Sequence, residues 1–146
     1  MTPTSSATWQ TGDYPQYADL IAQAEQANNI PTDLLARQLY QESHYRSDII
    51  TCQIASATGA QGIAQFEPAT AAQMGIDPCD PTQAIPAAAR YMAQLYGSLG
   101  SWSLALMAYN WGIGNVQRWI AGGQSGAVPQ ETQNYVAQIT ADVPVA

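Results

Sequence analysis

Among the acidic side chains of this 146-residue sequence, Glu42 is marked by its company. Leu35, Leu39 and Glu42 fall at i, i+4 and i+7, the spacing that sets side chains on one face of a helix. Burial beside two leucines penalises the charged form of a carboxyl, and the negative end of a helix dipole does the same to a residue in the last turn. A carboxyl that keeps its proton near neutral pH can donate it to a leaving oxygen, the step on which cleavage of a glycosidic bond depends. An ordinary solvated glutamate on a slightly rotated face would show the same spacing, so periodicity alone leaves both readings open.

Other chemistries have less to build on. His44 is the sole histidine, so a metal cluster is unsupported and a Ser/His/Asp arrangement would rest on that one ring. The basic residues are Arg37, Arg46, Arg90 and Arg118, scattered along a chain of net charge -7, which argues against nucleic acid or an anionic membrane as partner. Charged residues make up 10% of the sequence, well below the usual ~25%, and neutral polar side chains take their place. Such a surface suits a neutral polar ligand such as a sugar polymer, bound by stacking and hydrogen bonds. No window reaches the ~18 apolar residues of a membrane span, and Met1 to Asp13 lacks the basic start and apolar run of a signal peptide. Cys52 and Cys79 are an even pair in a loop-rich stretch, open to a disulfide or to two small buried thiols.

The elements that must position Glu42 follow from the same periodicities. Residues 1–13 are Ser/Thr-rich without a pattern and are expected to form a flexible arm, with one domain over 14–146. A first helix is expected from Tyr14 to about Asn28, and a second from about Thr32 to Ser43, with Pro31 at its start and Asp33 favouring its dipole. Residues 46–66 read as irregular or as a short β-ribbon lining a groove. Further helices are expected over Glu67 to Met74, Pro81 to Ser98 with Pro86 in its first turn, Trp102 to Asn110 at the centre of the fold, Val116 to Ala121, and Glu131 to Asp142. Gly112 and Gly114 are expected to break the chain between the Trp102 to Asn110 helix and the Val116 to Ala121 helix, and AGGQSGAVP to form the loop before the last one. The fold class is thus mainly α, a single domain without repeats.

The string Glu42-Ser43-His44-Tyr45 resembles the E-S-x-aromatic signature of the soluble lytic transglycosylase family and its relative, goose-type lysozyme. Gly59-Ala60-Gln61-Gly62-Ile63-Ala64-Gln65 is similar to that family's G-A-x-G-L-M-Q block, and Pro68-Ala69-Thr70-Ala71 to the P-A-T-A that follows it. Asp80-Pro81 to Tyr91-Met92 resembles the D-P-x-x-N-I helix, Ala108-Tyr109-Asn110-Trp111-Gly112 the A-Y-N-x-G block, and Glu131-Thr132-Gln133-Asn134-Tyr135-Val136 the closing E-T-x-x-Y-V. The blocks stand in the family's order and cover roughly residues 14–140. Three positions depart from the pattern: Ala64 replaces Met, which should open space in the cleft, while Ala84 and Ala88 stand where Asn and Gly are usual.

The resemblance implies a lysozyme-like fold and cleavage of peptidoglycan glycan strands between N-acetylmuramic acid and N-acetylglucosamine, without cofactor or metal, with Glu42 as the single acid/base. It further implies that Ser43 holds a sugar N-acetyl group or the carboxyl, that Gln65 hydrogen-bonds substrate from the glycine-rich loop, and that Tyr109 with Asn110 orients Glu42 and the sugar. Helix capping for Ser43, loop capping for Gln65 and core packing for Tyr109 are the plainer alternatives. Among the aromatics, Tyr45 and Trp111 are expected to face the groove and stack on sugars. The domain type acts in the periplasm or outside the cell, as a free enzyme, a secretion-system component or a phage protein. Two rival functions are a hydrolytic muramidase on the same fold, with Asp48 or Glu67 positioning water, and a wall-binding or assembly module without turnover.

Overall fold

A computed structural model of the protein describes residues 7–146. Its helices are α1 (Tyr14–Ala27), α2 (Leu34–Ser43), α3 (Ser47–Ile50), α4 (Pro68–Met74), α5 (Pro81–Leu99), α6 (Trp102–Trp111), α7 (Ile113–Ala121) and α8 (Gln130–Asp142). Among the described residues the only β-type pairing is an isolated bridge between Gln61 and Phe66. The fold is mainly α, consistent with a small lysozyme-like domain. No described helix is long and apolar enough to cross a membrane.

The expected central helix is α6, which packs against α5, α7 and α8. Its small residues Ala105 and Ala108 are fully buried, which lets neighbouring backbones approach, and Leu106 fills the space beside them. Helix α1 lies against α5 and α2, and α2 in turn against α8. That last contact brings together segments roughly a hundred residues apart, and Glu42 lies on α2 at this junction.

The start of α2 differs from expectation. Asp33 sits in the left-handed region at φ 72° and its side chain caps nothing. The orphan amides are taken instead by Glu25 of α1, whose Oε1 accepts from the N–H of Asp33 (3.2 Å) and whose Oε2 accepts from those of Leu35 (3.0 Å) and Ala36 (3.2 Å). A buried carboxylate at a helix N-terminus satisfies both the donors and the dipole. The cap comes from another helix, so the register of α2 is fixed by tertiary packing.

Residues 46–66 hold the short helix α3, then turns closed by the Gln61 bridge, so the expected ribbon is reduced to one pair. Two features pin this loop. Cys52 and Cys79 form a disulfide, and Gly62, at φ 82°, lies so close to the Pro78 carbonyl that a Cβ there would stand 1.8 Å from its oxygen. Only glycine permits both the conformation and the approach.

Three expectations at element ends need correction. Pro86 is the sixth residue of α5, within its second turn, because the helix starts at Pro81 under an Asp80 cap that accepts from the Thr82 N–H. Gly112 breaks the chain at φ 96°, but Gly114 does not, and α7 therefore starts at Ile113. Of the arm expected over 1–13, residues 1–6 lie outside the described residues. Residues 7–13 run as turns in which Trp9 is buried against the edge of Tyr14 and the Asp13 N–H donates to the Tyr45 carbonyl.

Candidate active site

Glu42 occupies the last turn of α2, half-buried, and lines a cleft of about 610 Å³. The glycine-rich loop and the start of α4 form one wall, with Gln65, Phe66 and Thr70, and α5, α6 and the α6–α7 junction form the other, with Tyr91, Tyr109 and Trp111. Glu42 Oε2 accepts a 2.6 Å hydrogen bond from the Tyr135 hydroxyl of α8. Burial pushes the carboxyl up from its ordinary 4.5 to about 8; the Tyr135 hydrogen bond pulls the other way, and the charge of Glu131 adds to the rise. A glutamic acid in this state carries its proton at neutral pH and can give it to a bound oxygen atom.

Tyr135 is itself held. Its hydroxyl oxygen accepts from Nε2 of Gln38, which lies one turn before Glu42 on α2, at 3.0 Å. Burial raises the Tyr135 phenol well above its ordinary range, and the Glu42 charge raises it further, so it serves as a neutral donor. Neither Tyr135 nor Gln38 stood out in the sequence as a site residue. The available signal was that a tyrosine on the buried stripe of α8 needs a partner for its hydroxyl.

The residues singled out in the sequence divide into two groups. Gln65, Tyr109, Asn110 and Trp111 line the cleft with Glu42. Gln65 is left-handed at φ 50° and its Nε2 donates to the Gly62 carbonyl at 3.0 Å, which aims the side chain along the loop. The Tyr109 hydroxyl donates to the Ala64 carbonyl at 2.7 Å and so ties α6 to the glycine-rich loop, while Glu42 is close enough that its charge helps hold the Tyr109 phenol up, after burial. Direct contact with Glu42 thus passes from the expected Tyr109 to Tyr135. Asn110 Oδ1 accepts from the Thr132 hydroxyl at 2.7 Å, which locks it to α8.

Ser43 and Tyr45 do not reach the cleft. Ser43 is fully buried and its hydroxyl donates to the Leu39 carbonyl at 2.9 Å, the usual use of a serine at a helix end. Tyr45 is also fully buried: His44 and Tyr45 are both left-handed at φ 53°, which turns the chain back under α2. Its hydroxyl donates to the Ala36 carbonyl at 2.6 Å, and its ring meets Tyr14 edge-on at 5.3 Å. Ala64, expected to open space in the cleft, is fully buried as well, and it contributes its carbonyl to Tyr109.

The cleft holds two further carboxyls, Glu67 and Glu131, both exposed. Asp48 is outside it, paired with Arg46 at 2.7 Å. His44 is exposed and tilted against Tyr40 at 4.5 Å, also outside the cleft. Among the described residues no three His, Cys, Asp or Glu side chains are grouped to hold a metal ion.

A helical domain with a glutamate that burial keeps protonated in the lining of a cleft fits a lysozyme-like class, and the chain belongs to the transglycosylase SLT domain family, whose model matches residues 19–130. It is 36% identical over 110 residues to membrane-bound lytic murein transglycosylase F 2 of Alkalilimnicola ehrlichii and 37% identical over 111 residues to membrane-bound lytic murein transglycosylase F of Maricaulis maris. Each match covers 70% of this chain and 23% of the relative. It is also 32% identical over 136 residues, 84% of its length, to peptidoglycan transglycosylase gp16 of Escherichia phage T7, of which the match covers 10%. The chain thus spans under a quarter of the curated relatives it matches.

Proposed function

We propose that this domain is a peptidoglycan lytic transglycosylase in which Glu42 is the only acid/base. The observation that carries the reading is the Glu42 carboxyl, held by burial in its protonated form at about pH 8 and below, in a cleft of sugar-polymer dimensions. Glu42 gives its proton to the oxygen bridging N-acetylmuramic acid and N-acetylglucosamine as the bond from that oxygen to the muramoyl C1 breaks. The substrate's acetamido group stabilises the positive charge that develops at C1. The Glu42 carboxylate then takes the proton of the muramoyl C6 hydroxyl while that oxygen bonds to C1. The 1,6-anhydro ring closes, Glu42 is again protonated, and no water is consumed.

Tyr135 supports both halves of this cycle, since its donated hydrogen bond steadies the carboxylate left after the first proton transfer. Gln65, Asn110 and Trp111 contact the glycan in this reading, which their position in the cleft lining supports. The site of action in this reading is the peptidoglycan layer, in the periplasm or outside the cell; relatives named for murein and, in a phage, for peptidoglycan support the layer itself.

Hydrolysis on the same fold is the second reading, and the carboxyls of Glu67 and Glu131 on the cleft wall favour it, because either could hold an attacking water. Mass spectrometry of digested, purified peptidoglycan separates the two. Muramoyl ends lighter by one water are the expected product; reducing ends alone would make the domain a muramidase.

A further inference from the structure

Three of the four arginines are engaged. Arg37 pairs with Asp142 at 2.6 Å, Arg46 with Asp48 at 2.7 Å, and Arg118 donates to Asn115 Oδ1 at 2.7 Å. Arg90, exposed on α5, has no hydrogen-bond or ion-pair partner among the described residues. It borders a second hollow of about 330 Å³ together with Gln73, Met74 and Gln94. Thr70 and Tyr91 belong to the walls of both hollows, so the second continues the Glu42 cleft. In a chain of net charge -7 without lysine, this is the point along the groove where an anion is attracted.

We propose that the Arg90 hollow is a carboxylate-recognising subsite for the acidic substituent of a glycan lying in the cleft, a proposal that rests on the function given above. The sugar backbone is neutral, so the carboxylate comes either from the peptide attached to the muramoyl lactyl group or, where that peptide is missing, from the lactyl group itself. Gln73 and Gln94 line the hollow with Arg90 and supply neutral amide donors beside the guanidinium, whose own hydrogen bonds to a carboxylate would be charge-assisted.

The test is binding of solubilised glycan strands to the Glu42→Gln protein, with and without Arg90→Gln, by calorimetry at low and high salt. One strand preparation carries peptides and the other is amidase-stripped. Loss of Arg90 is expected to weaken binding about tenfold at low salt, less at high salt. A loss confined to peptide-bearing strands names the peptide carboxylate, and one confined to stripped strands names the lactyl group. Equal affinity with and without Arg90 for both strands overturns the subsite. Cleavage by the wild-type protein tests the enzymatic reading separately.

Gln38 carries an independent observation. Its Nε2 donates to the Tyr135 hydroxyl at 3.0 Å and faces Met92 Sδ at 3.5 Å, while its Oε1 is buried without a partner. An orphaned buried carbonyl is costly, and an apolar side chain would fill the same space without that cost. Because the Tyr135 oxygen accepts from Gln38, its own proton points to Glu42 Oε2. We infer that Gln38 is a positioning residue that fixes the direction of this relay and so leaves the acidic proton of Glu42 on Oε1. Oε1 has no hydrogen bond among the described residues and is not a buried orphan, so it opens on the cleft.

Without Gln38, Tyr135 can turn and accept from a protonated Oε2, which hides the proton from the substrate. Gln38→Leu, or Gln38→Met should the leucine variant fold poorly, is expected to lower kcat roughly five- to tenfold with KM unchanged. It also moves the alkaline limb of the kcat profile to higher pH. Glu131 and Tyr109, the other groups facing Glu42, stay in place. In a Tyr135→Phe background the Gln38 change should add nothing. Additive losses, or an unmoved ionisation of Glu42 in carbon NMR titrations, which need no turnover, overturn the assignment.

Discussion

A residue built for chemistry is expected to cost the fold something, and Glu42 gives that expectation a number. Its ordinary ionisation lies at 4.5 and its folded one at about 8. Between these values the folded chain holds a proton that the unfolded chain releases, so stability falls as pH rises through the window and is fully retained below pH 4.5. From 4.5 to 7 the loss has an upper bound of about 3 kcal/mol, at 1.36 kcal/mol per pH unit. Glu42 lines an open cleft, and water screens part of this, leaving about 1–2 kcal/mol. Glu42→Gln removes the ionisation and keeps an oxygen for the Tyr135 hydroxyl. The variant is therefore expected to melt roughly 3–7 °C above wild type at pH 7, with the gap closing at pH 4 and levelling off above pH 8. It should also lose activity by orders of magnitude. Calorimetric scans of both proteins across that pH range, paired with a turbidity assay on cell walls, read the two effects together. A variant that melts lower at pH 7, or a gap that does not change with pH, would refute the argument that Glu42 is held protonated by burial.

Three further outcomes follow from the packing. Reducing the Cys52–Cys79 bridge, which spans 27 residues, should lower unfolding free energy by about 3–4 kcal/mol in the chain-entropy model, measured by denaturant titration with and without reductant. Gly62→Ala is expected to be severely destabilised or insoluble, since its Cβ would meet the Pro78 carbonyl oxygen at 1.8 Å; a variant with wild-type melting would contradict the described loop. Glu25→Gln should destabilise by about 1–3 kcal/mol, because an amide presents one oxygen to three backbone donors, and a melting curve suffices to check it.

The sequence carried the helices and the face of α2 that bears Glu42, because both are local periodicities and a few turns of chain decide them. It also carried the residues of the cleft wall wherever a short block is rigid, as with Gln65 and the run from Tyr109 to Trp111. It failed at Tyr45, where a motif names an aromatic without saying where it points. Two consecutive left-handed residues send the ring under α2, and nothing in the types of His44 and Tyr45 announces that conformation. It failed again at Tyr135 and Gln38, since the Glu42–Tyr135 bond joins positions 93 residues apart and the Gln38–Tyr135 bond positions 97 apart. Such pairings come from the α2–α8 packing, which no local pattern encodes.

The same limit explains why two glutamates of one protein differ in kind. Glu25 and Glu42 are both taken out of water, and burial raises the ionisation of each. Glu25 receives three backbone N–H donors at the start of α2, which hold its charge in place and make it part of the scaffold. Glu42 receives one phenolic donor on one oxygen, and its other oxygen is left to the cleft. Three donors offset more of the water a carboxylate loses than one donor does, although burial still outweighs them at Glu25, and with a single donor the neutral acid is favoured at Glu42. What separates a capping carboxylate from a proton donor here is therefore the number of partners that distant helices bring to it, and α8 supplies Glu42 with one.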